Sequence, residues 1–302
     1  MVWLALGIVY VVWGSTYFAI AIAVQTLPVL LTAGLRFLVA GTVLGLWVAL
    51  RDHDALRVTS KEARGAALVG TLMLAGGNGL VSLGEQTVPS GLAALIVASI
   101  PLWLVLERMA VGERSHRDVL VGVTVGIIGV AVLVVPSGVS GQVDPLGLLM
   151  LIGAALSWAT GTFLSPRIAT PRHALTSSAI QMLAAGAVLL VLAFARGEPA
   201  RVDTATFSTS SILAWLYLIV FGSLVAYSAF TWLLQHASVS LVSTYAYVNP
   251  VVAVFLGTLF LAEPITPTML AGAALILAAV AFIVQRSARE SSAIRAAASR
   301  SA

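Results

Sequence analysis

What this chain of 302 residues lacks most is charge: only 9% of it is Asp, Glu, Lys or Arg, while 60% is hydrophobic. Ordinary globular domains carry about 25% charged residues. A water-facing surface cannot be built from so few, so most of the outer face has to meet lipid, and the mean hydropathy of +1.03 agrees. Cysteine is missing altogether, which excludes disulfides and thiolate metal sites. Met1-Val2 offers no positively charged leader before a first apolar run long enough to span, so no cleaved signal is expected. Neither H-E-x-x-H nor a phosphate-binding glycine loop occurs, and no cofactor or metal is expected. The net charge of +4 comes without the aromatic-interleaved basic stripe that stacks bases, so nucleic acid is not an expected partner. A channel would need a ring of charges or a carbonyl filter, and neither is recognisable. One enzymatic motif is present: Gly138-Val139-Ser140-Gly141 matches the G-x-S-G of intramembrane serine hydrolases. It lies in a polar loop between Pro136 and Asp144, and no histidine falls inside an apolar run to activate Ser140; His236, at the end of one, comes nearest.

What the chain does have is apolar runs of the length a bilayer demands, about 20 residues each. Ten are expected to span: 2–24, 28–50, 66–85, 90–109, 118–136, 146–166, 174–195, 211–235, 239–261 and 267–285. Lys and Arg gather in alternate connections. Arg51, Arg57, Lys61, Arg64, Arg108, Arg114, Arg117, Arg167, Arg172, Arg286, Arg289, Arg295 and Arg300 share one side, while the other holds only Arg196 and Arg201. The positive-inside bias therefore predicts both termini in the cytoplasm, and the segment 287–302 reads as a disordered tail.

The runs are duplicated. Gln86 to Pro101 and Gln235 to Pro250 have equal length, and each is followed by an apolar run, a small residue and a glutamate: Gly112-Glu113, then Ala262-Glu263. Trp13 and Phe18 align with Trp158 and Phe163, and Gly41 with Gly186. Five crossings per copy send the second copy in from the opposite side. The expected fold is all-α and polytopic, ten transmembrane helices as two inverted five-helix repeats, 1–137 and 146–286. Such repeats give secondary transporters two related conformations around a site near the midplane.

Polar side chains recur on particular spans. Asn78, Ser82 and Gln86 are spaced by four on the third, with Tyr227, Thr231 and Gln235 equivalent on the eighth. Ser99, Trp103 and Glu107 share the fourth span, Ser240, Thr244 and Tyr247 the ninth, and the first carries Tyr10, Trp13 and Tyr17 with Ser15 and Thr16 beside them. In lipid such groups turn inward, either to bond between helices or to wall a cavity. Gly76-Gly77-Asn78-Gly79 weakens the third span at mid-depth, and Pro101 and Pro250 permit kinks, so Gly77, Gly79, Pro101 and Pro250 are candidate hinges. The fifth and tenth spans, with Gly122, Gly126 and Gly272, read as structural backing. Arg36 is the one cation deep in a span, at an insertion cost of about 2.5–3.5 kcal/mol. It is either an anchor for a substrate carboxylate or half of a structural pair with Glu107 or Glu85. Glu85, Glu107 and His236 are all able to titrate, and no spacing singles one out as a proton carrier.

Taken in order, Trp13-Gly14-Ser15-Thr16, Arg36-Phe37, Gly77-Asn78-Gly79, Glu85-Gln86, Pro89-Ser90-Gly91-Leu92-Ala93-Ala94, Pro101-Leu102-Trp103, Asn249-Pro250-Val251-Val252-Ala253 and Leu261-Ala262-Glu263-Pro264 resemble the EamA-type branch of the drug/metabolite transporter superfamily. The resemblance covers both halves. It implies a ten-helix inner-membrane carrier with a central cavity and export of metabolites or drugs. Small multidrug-resistance relatives use an acid inside the first helix, where this chain has Ser15, Thr16 and Tyr17, so proton–cation exchange by that route is not expected.

The reading is a secondary transporter working by alternating access. Trp13, Trp103, Trp158, Tyr227 and Tyr247 would contact an apolar part of the substrate, and Asn78, Ser82, Gln86, Ser99 and Thr231 would orient its polar atoms. With Arg36 as the sole available cation, the expected cargo is a small neutral or monocarboxylate amphipath, such as an amino acid or a drug-like metabolite. Nothing in the sequence sets an oligomeric state.

Overall fold

The computed structural model describes residues 1–113, 117–134 and 144–300, so the loop carrying Ser140 lies outside the described residues. Among those residues there is no strand, and the apolar runs form ten helices. They are α1 (Val2–Ala23), α2 (Val29–Arg51), α3 (Ser60–Gly84), α4 (Ser90–Ala110), α5 (Arg117–Val134), α6 (Pro145–Leu164), α7 (Ala174–Ala195), α8 (Thr209–His236), α9 (Tyr245–Leu261) and α10 (Pro267–Arg300). Eight are long and apolar enough to cross a membrane, and α5 and α9 are shorter. A single turn, Val239–Val242, leads into α9. The apolar part of α10 ends at Arg286, and the helix continues to Arg300 where the sequence suggests disorder.

Helix starts follow local chemistry. Thr59 and Glu62 form a reciprocal capping box ahead of α3, and the Asp144 carboxylate accepts from Leu146 N ahead of Pro145 at the start of α6. Connections meet alternately at two ends of the bundle. At the arginine-rich end Arg167 pairs with Glu113, Arg286 pairs with Asp118, and Thr176 Oγ1 donates to Ala55 O at 3.0 Å. At the opposite end Leu31 N donates to Glu198 at 2.8 Å and Ser208 N to Thr26 Oγ1 at 3.1 Å.

Repeat-equivalent helices pack on each other. Gly34 of α2 and Gly186 of α7 face one another so closely that a Cβ on Gly186 would lie 2.9 Å from Gly34 O. Likewise Gly122 of α5 meets Ile283 of α10, and Gly272 of α10 meets Leu133 of α5. Small residues let these backbones approach where lipid gives no hydrophobic drive. Pairing of α2 with α7 and of α5 with α10 is what a two-fold relation between the halves requires. Outward faces stay apolar: Leu35, Val39, Val43, Leu46 and Leu50 make one exposed stripe along α2.

Mid-span irregularities coincide with the expected weak points in a different form. The glycine cluster of α3 does not break the helix; it widens to π geometry over Thr71–Asn78, as α8 does over Leu218–Tyr227 and α1 over Val9–Trp13. The α3 and α8 segments end on the equivalent residues Asn78 and Tyr227. Helix α4 is interrupted at Ala98–Ser99, and Pro101 lies in the first turn after the interruption. In the second half the interruption comes at Ser243–Thr244, and Pro250 sits inside α9.

Candidate functional site

The π segments of α1 and α3 and the unbroken α6 converge at mid-depth. Trp13, Thr16, Tyr17, Arg36, Gly77, Asn78 and Trp158 line a central cavity together with Tyr245 and Asn249 of α9. Its volume is about 50 Å³, room for only a few waters at ~10–15 Å³ each. Toward the arginine-rich end lies a larger cavity of about 190 Å³, lined among others by Thr162, Ser177, Gln181, Tyr227, Thr231 and Gln235.

An aromatic cluster divides the two. Trp13 stands edge-on to Trp158 and Tyr245, with ring centroids 5.4 and 5.5 Å away, and lies 4.7 Å from Phe230. Tyr227 and Phe230 face the larger cavity, while Trp13, Trp158 and Tyr245 face the central one. Edge-to-face pairs of this kind add about 0.5–1.5 kcal/mol each beyond their burial. The cluster is therefore a fitted partition whose members come from both halves.

Arg36 is buried, with 4% of its surface exposed. Its Nε donates to Ser223 Oγ at 2.8 Å and its Nη1 to Asn78 Oδ1 at 3.2 Å. The guanidinium also lies over the Phe37 ring at 4.8 Å. Neither acid expected as its partner meets it. Glu107 takes a hydrogen bond from Thr160, and both carboxylate oxygens of Glu85 are buried with no partner. Among the described residues Arg36 makes no ion pair. The Trp158 Nε1 donor is likewise buried, and although the Tyr245 hydroxyl is its neighbour it completes no hydrogen bond of good geometry. The central cavity thus presents a buried cation and a spare N–H donor between aromatic walls.

The remaining expected site residues are held elsewhere. Ser15 bonds Tyr217 Oη at 2.6 Å and Ser82 donates to Asn78 O of its own helix at 3.0 Å. Ser99 donates to Ile96 O and accepts from Trp103 Nε1, so that pair closes on itself at the interruption of α4. Gln86 is exposed at the opposite end, and Tyr247 turns to α10, its hydroxyl 3.3 Å from Val280 O. Tyr227 and Thr231 line the larger cavity rather than the central one. Sequence reading passed over Ser223, Phe230, Tyr245, Asn249, and Ser177 with Gln181. Gln181 accepts from the Tyr227 hydroxyl while donating to Ser177 Oγ at 2.9 Å, and Asn249 sets its amide between the carbonyls of Tyr10 and Tyr245, at 3.1 and 3.2 Å. The signal for both was a four-residue spacing, Ser177 with Gln181 and Tyr245 with Asn249, inside apolar runs. Among the described residues no three of His, Asp and Glu come together as a metal would require.

One end of the bundle carries a further constellation. Glu263, in the connection after α9, accepts from Ser90 N at 2.7 Å, Ser90 Oγ at 2.8 Å and Gly91 N at 2.9 Å, so it caps α4. Its repeat counterpart Glu113 bonds Arg108 Nε at 2.7 Å and pairs with Arg167 at the arginine-rich end. The Arg108 and Arg167 hydrogen bonds hold the Glu113 carboxyl below its ordinary range.

A helical bundle with repeat-related halves, an aromatic-walled cavity between them and a buried cation in its wall has the form of a membrane transporter. The chain belongs to the EamA-like transporter family, whose model matches it twice, at residues 1–135 and 145–285. It is 41% identical to the uncharacterized inner membrane transporter YedA of Escherichia coli (strain K12), over 84% of this chain and 81% of that one. It is 28% identical to a probable amino-acid metabolite efflux pump of Salmonella typhimurium, over 94% of this chain and 96% of the other. A solved crystal structure 20% identical in sequence superposes with a TM-score of 0.64, covering 95% of this chain and 97% of its own, which shows the same fold.

Proposed function

We propose that this protein is a secondary transporter exporting small amphipathic monocarboxylates, such as amino acids or drug-like metabolites, across the inner membrane by alternating access. The observation that carries this reading is Arg36, buried at the cavity wall with neutral partners only. A lone buried cation is costly, and a carboxylate arriving at Nη2 would offset that cost. Trp158 Nε1 supplies a second donor, and the rings of Trp13, Trp158 and Tyr245 accept the apolar part. The printed name of the Salmonella relative is in keeping with such a cargo. The two five-helix units, 1–137 and 146–286, rock about the aromatic partition, with Gly77, Gly79, Pro101 and Pro250 as hinge positions. The arginine-rich end faces the cytoplasm, with both termini there, so the larger cavity is the cytoplasmic vestibule of an inward-facing state.

The test is uptake of labelled amino acids and their amides into proteoliposomes. Arg36→Gln is expected to lower carboxylate transport about a hundredfold, the cost of losing one partner of a desolvated charge contact. Arg36→Lys keeps the charge without the fork geometry and falls between. A folded Arg36→Gln protein that carries carboxylates at the native rate removes the proposed site.

A further inference from the structure

Among the described residues whose buried polar atoms lack a partner, Glu85 stands out as the carboxyl with neither oxygen bonded. It follows α3 directly, its N–H bonding Val81 O at 2.9 Å, and only 6% of its surface is exposed. Both carboxylate oxygens are buried without a donor. An ionised carboxylate in that position, out of water and unpaired, costs several kcal/mol or more, so the group there is the neutral acid. The titratable groups that face it do not relieve the cost. Tyr17 of α1 and Glu263 ahead of α10 are both within electrostatic reach, one neutral and the other a like charge. Helix α6 lays Gly147 and Leu151 against the neighbouring Gly84, and its Asp144 is occupied in capping its own first turn. Arg36 of α2 is engaged with Asn78 and Ser223.

The position has a meaning for the cycle. Tyr17 lines the central cavity, and Glu263 fastens the opposite end over α4, so Glu85 lies between the cavity and the closed end. We propose that Glu85 is a proton-binding site of this carrier, and that the end of the bundle fastened by Glu263 closes only when Glu85 has taken up a proton. When that end opens, water reaches the carboxyl and the proton leaves; reclosing requires another. The closed form therefore binds one proton more than the open form, and lowering the pH drives closure. The idea rests on the alternating-access reading above and adds the coupling ion to it.

A test needs no knowledge of the cargo. The chain has no cysteine, so Val81→Cys creates a single thiol on the cavity wall one turn from Glu85. Intact cells are treated with a membrane-impermeant maleimide at about pH 6 and about pH 9, bracketing the range in which buried carboxyls titrate. Each rate is divided by that of the unfolded protein at the same pH, which removes the intrinsic rise in thiolate. Normalised labelling is expected to be about tenfold faster at the higher pH. Adding Glu85→Gln should leave it slow and equal at both. Adding Glu263→Gln instead, which releases the fastening and removes the like charge near Glu85, should speed labelling at both pH values. Equal normalised labelling in the Val81→Cys protein, or a pH ratio that survives Glu85→Gln, overturns the proton role alone. No labelling at either pH overturns alternating access and the proton role with it.

Discussion

Matched residues in the two repeats do not share environments, and the sharpest contrast is between Glu113 and Glu263. Each ends the same segment of its copy. Glu263 accepts three hydrogen bonds at the start of α4 and fastens one end of the bundle, whereas Glu113 sits between Arg108 and Arg167, its side chain 38% exposed at the other end. Trp13 and Trp158 differ as well: Trp13 meets four rings of the partition and Trp158 two. On the alternating-access reading proposed above, an inverted pair of identical devices would not occupy the same state at both ends when one end is shut. On that reading the asymmetry is the imprint of one conformation on two related halves, and substitutions at matched positions test it.

The largest effect is expected at the partition. Trp13→Ala removes its central ring and leaves a cavity between α1, α6, α8 and α9, costing about 3–5 kcal/mol of stability. Trp158→Ala should cost measurably less. Thermal unfolding in detergent, run side by side, checks the order; equal losses would mean that the two tryptophans are interchangeable. Next comes Glu263→Ala. Hydrogen bonds to a charged acceptor contribute roughly 1.5–3 kcal/mol each, and solvent replaces part of that at a partly exposed site, so a loss of about 2–3 kcal/mol is expected. Gly257→Ala should reproduce part of it, because a Cβ there would run into the Glu263 carboxylate and Ser90 Oγ. In the first copy the residue six before the glutamate is Glu107, so the glycine relief belongs to one end alone.

These contrasts also mark how far the residues could be read without coordinates. The ten helices were legible because a run of about 20 apolar residues admits few other structures. The match of Gly41 with Gly186 was legible as a repeat and not as the α2–α7 contact it marks, while the glycines of α5 and α10 were read as sites of close helix packing, where the two helices do meet. The cavity was legible only in part. Asn78, Ser82 and Gln86 were read as one face, but each step of four drifts about 40° around a helix of 3.6 residues per turn. By Gln86 the stripe has turned out of the cavity and the helix has ended. On α9 the interruption at Ser243–Thr244 resets the phase, so Tyr245 and Asn249 point inward and Tyr247 away. Ser82, Ser99 and Thr231 look like free ligands in a sequence, yet each hydroxyl donates to a carbonyl three or four residues back. Arg36 was found as the one cation deep in an apolar run, while its neutral partner Ser223 had no signal beyond being one serine among many.

The smallest effect is expected at Glu113, and its pH dependence separates it from Glu263. Hydrogen bonds from Arg108 and Arg167 depress the folded pKa of this carboxyl below the unfolded value of about 4.3. A depressed carboxylate contributes stability that is present above the unfolded pKa and lost as the pH falls through the folded one. Glu113→Gln should therefore lower the unfolding temperature slightly near neutral pH and not at all in strong acid. Because the pair is exposed, molar salt should shrink even that difference. The Glu263 bonds run to backbone amides and a hydroxyl rather than to a counter-ion, so salt should leave the Glu263→Ala loss nearly unchanged. Unfolding curves of both variants at low and high salt decide the matter. A salt-resistant loss at Glu113 equal to that at Glu263 would mean that both ends are fastened alike, and the asymmetry between the repeats would then have another origin than the closing of one end.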